Sequence, residues 1–406
     1  MIFNDGALIH NKTSFERDTL DARYEELQFN NLARMELFLW DMEMFLQIQD
    51  ILKEKVVLKG GAAAQFYLPV EFQRTSVDID MICSVTKVEI KNTLGIIETK
   101  FNGEGNLFKA REHKPKKPKT DLPMFTYYMG VPSVCTKNEL FGGIPGSQEI
   151  KIEFHISEDD FPINAISSPA IFAVETDKTY QILPLNTLLG DKLTTLGPNT
   201  IGIPQVRSDE QIKQIYDIAS LIEFNGSSID YDEVRKDFIS SAKLEAKNRG
   251  LTVSLEEIFS DMLLQMERLS YVDMERDEEL IKLINDFQSL YVRKSQNRSI
   301  AEWAMIGAKI RLLIDYLRDG KDVRNKMDLI STTENSLQFH SLAGADRGKA
   351  IRMFKNDFSL AFEKQSRYPA KILKGKNPMR MVWAVVSKDN LDEVTSWVDE
   401  FIKQHC

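Results

Sequence analysis

Cysteine is scarce in this chain: Cys83, Cys135 and Cys406 are the only three in 406 residues. They are odd in number and far apart, with no Cys-x-x-Cys pair. That excludes a thiolate zinc site, a dithiol redox centre and a disulfide-stapled fold, and all three read as reduced and mostly structural. Long apolar runs are also missing. None reaches the roughly eighteen residues that a membrane span requires. The opening Met1-Ile2-Phe3-Asn4-Asp5 has neither the basic start nor the apolar stretch of a secretory signal, so the expected location is the cytoplasm. Repeats and low-complexity tracts are absent too. Positive charge is not in surplus, with 52 Lys and Arg against 61 Asp and Glu and a net charge of −9. Such a balance argues against a protein that coats nucleic acid indiscriminately.

With 43% hydrophobic and 28% charged residues, the chain has the make-up of an ordinary globular protein, long enough for two domains with separate cores. Its charge is unevenly spread. Arg293 to Arg380 holds 19 Lys and Arg against 9 Asp and Glu, so this stretch carries about +10 and the remainder about −19. Clustered cations of this kind suit either a solvated surface or the phosphate backbone of a polynucleotide. A shorter basic run, Lys114 to Lys119, lies on a proline-broken segment and reads as surface.

The chemistry is concentrated in two nearby stretches. Lys59-Gly60-Gly61-Ala62-Ala63 follows a short apolar strand, Val56 to Leu58, and precedes a helical segment, Ala62 to Tyr67. Paired glycines let the backbone turn sharply and approach a ligand closely, and a helix start after such a turn favours an anion. Arg74-Thr75-Ser76-Val77-Asp78-Ile79-Asp80 then opens a strand in which apolar residues alternate with Asp78 and Asp80. At the two-residue period of a strand both carboxylates face the same way. Like charges so placed repel unless a cation lies between them, and Mg²⁺ bound by carboxylates and substrate phosphates is the usual solution. Either motif alone is common in surface turns. Together they resemble the opening of a nucleotidyltransferase fold.

The remaining pattern divides near Phe224-Asn225-Gly226. Before it, helices over Ser14 to Lys55 and Val88 to Thr99 accompany strands at Val77 to Cys83, Phe125 to Met129, Ile150 to Ile156 and Tyr180 to Leu183. A helix from Pro184 to Leu196 follows, then a loop to Pro204 and a helix from Ser208, where Ser208 and Gln211 have capping-box spacing. Beyond the boundary the sequence reads as almost wholly helical, although Met379 to Val386 suits a strand or a buried helix equally. The expected architecture is α+β: a mixed-sheet nucleotidyltransferase domain of the DNA polymerase β type over residues 1–225, followed by a helical bundle with a basic region over 226–406.

Three further residues stand out. In Lys151-Ile152-Glu153-Phe154-His155 the strict alternation puts Glu153 on one face with Lys151 and His155. Glu153 is the candidate third carboxylate, although a solvated strand face gives the same pattern. Lys192 falls among Leu188, Leu189, Leu193 and Leu196 on the apolar side of its helix, so its ammonium must snorkel outward or meet an anion such as a phosphate. Asp217 lines a face with Asp209 and Lys213 at intervals of four, which a surface ion-pair ladder also explains.

These stretches, with Asp191-Lys192-Leu193 and Lys213-Gln214-Ile215-Tyr216-Asp217-Ile218, resemble the AbiEii/AbiGii nucleotidyltransferase-like family, which includes abortive-infection toxins and the MenT-type toxins. The resemblance covers roughly Val56 to Leu221. It implies Asp78 and Asp80 as metal ligands with Glu153, and Gly60 and Gly61 as the phosphate turn. Ser76 and Lys192 become nucleotide contacts, and Asp217 a catalytic acidic residue. Two positions depart from the family: Ala62 replaces the usual Ser or Thr, and Gln214 stands where Asp is frequent. The implied activity is Mg²⁺-dependent transfer of an NMP from an NTP to an acceptor hydroxyl, with Mn²⁺ as the alternative ion. The foremost acceptor is a tRNA 3′ end, and the implied partner is an antitoxin; no membrane is involved. The alternatives are a catalytically weak nucleotide- or RNA-binding module and a protein or small-molecule adenylyltransferase.

Overall fold

The computed structural model describes residues 3–102, 107–114, 123–136, 139–141 and 144–406. Most of the basic run, 115–119, lies outside them. Nine strands are present: β1 Val56–Lys59, β2 Asp78–Cys83, β3 Ala110–Glu112, β4 Met124–Pro132, β5 Glu139–Phe141, β6 Ile144–Pro145, β7 Ser147–Ile156, β8 Asn164–Ser167 and β9 Thr179–Ile182. Seven of them form one mixed sheet in the order β3, β4, β7, β2, β1, β9, β8, while β5 and β6 pair separately. Within the sheet β2 runs parallel to β7 and β1 to β9, and the other pairs are antiparallel.

Alternation along the two central strands decides what each sheet face does. Ile79, Met81 and Cys83 of β2 and Ile150, Ile152 and Phe154 of β7 are buried on one side. Asp78, Asp80, Lys151, Glu153 and His155 occupy the other, half-covered side. The helices of this half are α1 Arg17–Leu27, α2 Leu32–Leu52, α3 Gly60–Gln65, α4 Lys87–Phe101, α5 Leu185–Leu193 and α6 Ser208–Asn225. Fourteen of the 21 residues of α2 are buried, which makes it a central helix rather than a surface one. Its acidic residues secure other segments. Glu43 accepts the backbone N–H groups of Ile9 and His10 as well as His10 Nδ1, and Glu36 accepts Ser133 Oγ and the Val134 N–H.

The rest is helical: α7 Tyr231–Asn248, α8 Leu255–Ser270, α9 Val272–Glu275, α10 Glu278–Tyr291, α11 Ile300–Asp319, α12 Val323–Ser336, α13 Gly344–Phe362, α14 Ala370–Lys374, α15 Pro378–Trp383 and α16 Leu391–His405. One apolar core extends from Ala7 to Leu391, and a second, built on Phe354, Phe358, Phe362 and Phe401, occupies the C-terminal helices. Met379–Val386, ambiguous in sequence, forms α15 and the turn after it; Pro378 in the first turn suits a helix start and Asn377 caps it. The expected capping box at Ser208 does not form. A 3-10 turn over Gln205–Arg207 makes Ser208 the first residue of α6, and Gln211 turns inward to bond Leu196 O and Gln265.

Two contacts bring the helical half onto the site. The Thr75 N–H donates to Tyr291 O at 3.0 Å, and Arg293 Nη2 donates to Val70 O at 2.6 Å, so the segment leading into β2 is held by the end of α10. The second is the close approach of α5 and α7 at Gly190. A Cβ there would lie 2.9 Å from Phe238 N and 3.0 Å from Val234 O, both backbone atoms that cannot rotate aside. Gly190→Ala is therefore expected to cost about 1–3 kcal/mol by forcing the helices apart. A lowered urea midpoint with an unchanged slope is the measurement that checks it.

Candidate active site

The register of the central strands assembles a charged row. Lys59 of β1 lies opposite Asp80 of β2, Asp80 opposite Glu153 of β7, and Glu153 opposite Thr126 of β4. One step along, Asp78 lies opposite Lys151. Lys151 Nζ is 2.9 Å from Glu153 Oε2 and 3.9 Å from Asp78 Oδ2, and Thr126 Oγ1 donates to Glu153 Oε1 at 3.2 Å. The Lys59 ammonium is held by Asp191 Oδ1 at 3.0 Å.

Crowding shifts these groups in opposite directions. Burial, then the charges of Glu153 and Asp78, push the Asp80 carboxyl up to about 8, and burial also raises Asp78. Burial would raise Glu153 as well, but Lys151 and hydrogen bonds from Lys151 and Asp80 hold it below the usual range. Glu153 is thus the carboxylate of the row whose ionised form its surroundings favour. Burial and the neighbouring Lys59 lower the His155 imidazole to about 4, leaving it neutral. Asp80, Glu153 and His155 each offer a ligand atom, and the three atoms lie within 4.8 Å of one another. Two carboxylates and a neutral imidazole are a chemically suitable donor set for a divalent cation.

The glycine turn abuts this row. Gly60 has φ +71°, and a Cβ on it would collide with the Asp80 carboxylate; a Cβ on Gly61 would lie 2.7 Å from Arg74 Nη2 and 3.2 Å from Ser76 Oγ. Behind Gly61 sits an ionic cluster. Arg74 Nε and Nη2 each reach Asp217 at 2.7 Å, and Lys192 Nζ reaches Asp217 Oδ2 at 2.7 Å and Gln214 Oε1 at 2.9 Å. The three residues are 2%, 0% and 1% exposed for Arg74, Asp217 and Lys192. Lys192 therefore meets an anion from its own chain, and Asp217 is part of a buried cluster rather than a surface ladder. Gln214 supplies the second acceptor for Lys192.

Sequence reasoning placed Asp78 and Asp80 on one face of their strand and Glu153 with Lys151 and His155 on one face of another, and the structure brings the two together; Ser76 lies against Gly61. Three participants went unassigned. His155 had a visible signal, since it continues the Lys151, Glu153 alternation. Arg74 had a weaker one, as a cation in the segment before the carboxylates. Asp41, within buried α2, had none. Neither of its oxygens has a partner among the described residues, and burial, then the charges of Asp78 and Asp80, hold it well above the aspartate range.

The Asp217 cluster is testable by stability. Burial alone would raise this carboxyl, but Arg74 and then Lys192 hold it below its ordinary value. Asp217→Asn leaves two buried cations short of their counter-charge, with an expected loss of about 3–5 kcal/mol at neutral pH. The wild-type contribution is complete above the unfolded-state pKa of about 3.9 and fades as pH falls through the lower folded-state value. Urea unfolding across an acid series should show the gap between the proteins closing only there.

Comparison with known proteins follows this geometry. No curated protein matches the chain. Among solved structures, JHP933 from Helicobacter pylori is similar at 15% identity and a TM-score of 0.37, covering 81% of this chain and 99% of that one. A candidate nucleotidyltransferase from the same organism is similar at 17% identity and a TM-score of 0.38, covering 70% of this chain and 98% of its own. The AbiEii family, described as the nucleotidyl transferase toxin of a Type IV toxin–antitoxin system, matches residues 45–294, a span that holds the glycine turn, all three carboxylates, Lys192 and Asp217. The chain belongs to the AbiEii nucleotidyltransferase toxin family.

Proposed function

We propose that the chain transfers an NMP from an NTP to the hydroxyl of an RNA acceptor, foremost a tRNA 3′ end, in a Mg²⁺-dependent reaction that a cognate antitoxin restrains. The observation that carries this reading is the meeting of Asp80 and Glu153 with the Gly60-Gly61 turn on one sheet face. Asp80 and Glu153, with Asp78 beside them, hold the divalent cation. When bound, that ion supplies charge neutralisation for the triphosphate. Gly60 and Gly61 admit the phosphates close to the backbone, with Ser76 beside them. Glu153, kept ionised by Lys151, accepts the proton of the attacking hydroxyl. Lys192 enters as the cation behind the turn, and Asp217 fixes its position and that of Arg74. In this reading residues 1–225 perform the transfer and 226–406 present the acceptor, within a cytoplasmic protein.

An RNA acceptor is supported by charge. Several cations of the helical half are paired, as in Arg268 with Asp277, Lys309 with Glu334 and Arg318 with Glu256. Lys349, Arg352 and Lys355 of α13 and Lys371 and Lys374 of α14 have no ion-pair partner among the described residues. Steps of three residues align each set along its helix, with Asp346 at the head of the α13 row and Asp357 off it. Phosphates relieve such repulsion.

Three outcomes follow. Asp80→Asn is expected to abolish transfer of label from an α-labelled NTP to total tRNA while its circular dichroism stays that of the parent. Chelation should stop the reaction, and added Mg²⁺ should restore it. Replacing Lys349, Arg352 and Lys355 together by Ala should weaken tRNA binding and flatten its salt dependence by roughly 2 in log–log slope, from about 0.7 per single-strand phosphate contact. Label transfer that persists in Asp80→Asn would remove the assignment.

A further inference from the structure

His155 is the histidine beside the carboxylate pair; His113 packs edge-on against Tyr128 farther along the sheet, and His10 is engaged by Glu43 and Tyr180. On β7 it follows Glu153 by two residues and so shares its side of the sheet. The β2 and β7 register sets His155 against Ile82, one same-face step from the Asp80 and Glu153 pair. Its imidazole has no hydrogen bond among the described residues, yet one of its nitrogens lies within 4.8 Å of ligand oxygens on both Asp80 and Glu153. Asp78, the other carboxylate of the motif, is turned toward Lys151. The half-covered imidazole has no protein partner for either ring nitrogen among the described residues, and the nearest role the site offers it is that of a ligand.

We propose that His155 is a nitrogen ligand of the cation held by Asp80 and Glu153, giving this site a mixed nitrogen and oxygen donor set. The proposal rests on the nucleotidyltransferase reading above and deepens it by naming the metal preference. Mg²⁺ prefers oxygen donors, whereas imidazole suits borderline ions. Next to an all-carboxylate site, this one is shifted toward Mn²⁺ and its softer neighbours. His155 is thereby a specificity-determining residue for the ion.

Electron spin-echo spectroscopy of the full chain loaded with Mn²⁺ reads the ligand directly. The expected result is a nitrogen coupling in the wild type that changes when its histidines carry the heavier nitrogen isotope, which needs no variant. The coupling should vanish in His155→Gln, whose Mn²⁺ affinity should fall by about tenfold or more, with Mg²⁺ affinity falling less. Mn²⁺ bound with no nitrogen coupling, or a coupling unchanged in His155→Gln, overturns the role of His155 and leaves the transfer reading intact. Mn²⁺ affinity unchanged in Asp80→Asn overturns the metal site itself and the proposal with it.

Discussion

Both oxygens of Asp217 are committed to cations that come from distant parts of the chain. Arg74 precedes the carboxylate strand, Lys192 lies on α5, and Asp217 is on α6, so one buried carboxylate ties three elements together. A buried ion pair stabilises little compared with an apolar replacement, but breaking one is costly because the surviving charges stay dry. Its effect is thus to forbid alternatives: the segment before β2, α5 and α6 can pack only in the arrangement that closes the cluster. Gly61 belongs to the same constraint, since the Arg74 guanidinium fills the space a side chain there would need. The phosphate turn and the ionic cluster are two sides of one piece of backbone.

In front of that cluster the sheet gathers charge instead of neutralising it. Asp78, Asp80 and Glu153 share a face with a single close cation, Lys151, and Lys59 is occupied by Asp191. Burial, and then the repulsion within a row that has more carboxylates than nearby ammoniums, push the Asp80 carboxyl up to about 8. Stability is given up locally, and the large apolar core beneath the sheet makes that tolerable.

How much of this was legible depended on range. The strand at Asp78 and the face shared by Asp78 and Asp80 follow from a period of two, so a few neighbouring residues suffice to see them. The same holds for Glu153. What Lys192 and Asp217 touch could not be read, because their partners lie 25 and 143 residues apart in sequence and helical periodicity says only that a side chain points inward. Asp41 shows the limit. In a helix buried on nearly every side the apolar stripe loses its edges, and a polar residue there looks like any exposed one. Ser208 failed differently: the Ser and Gln spacing was right, but the preceding 3-10 turn moved the helix start by one residue.

The hydrogen bonds that join Thr75 to Tyr291 and Arg293 to Val70 carry a consequence for synthesis. They close loops of more than two hundred residues around the segment that delivers β2, and contacts of such long range form late and slowly. A chain still on the ribosome has made every carboxylate of the row well before α10 exists to anchor them. The order of translation itself therefore keeps the nascent polypeptide from finishing its own reactive surface until Tyr291 and Arg293 have been made.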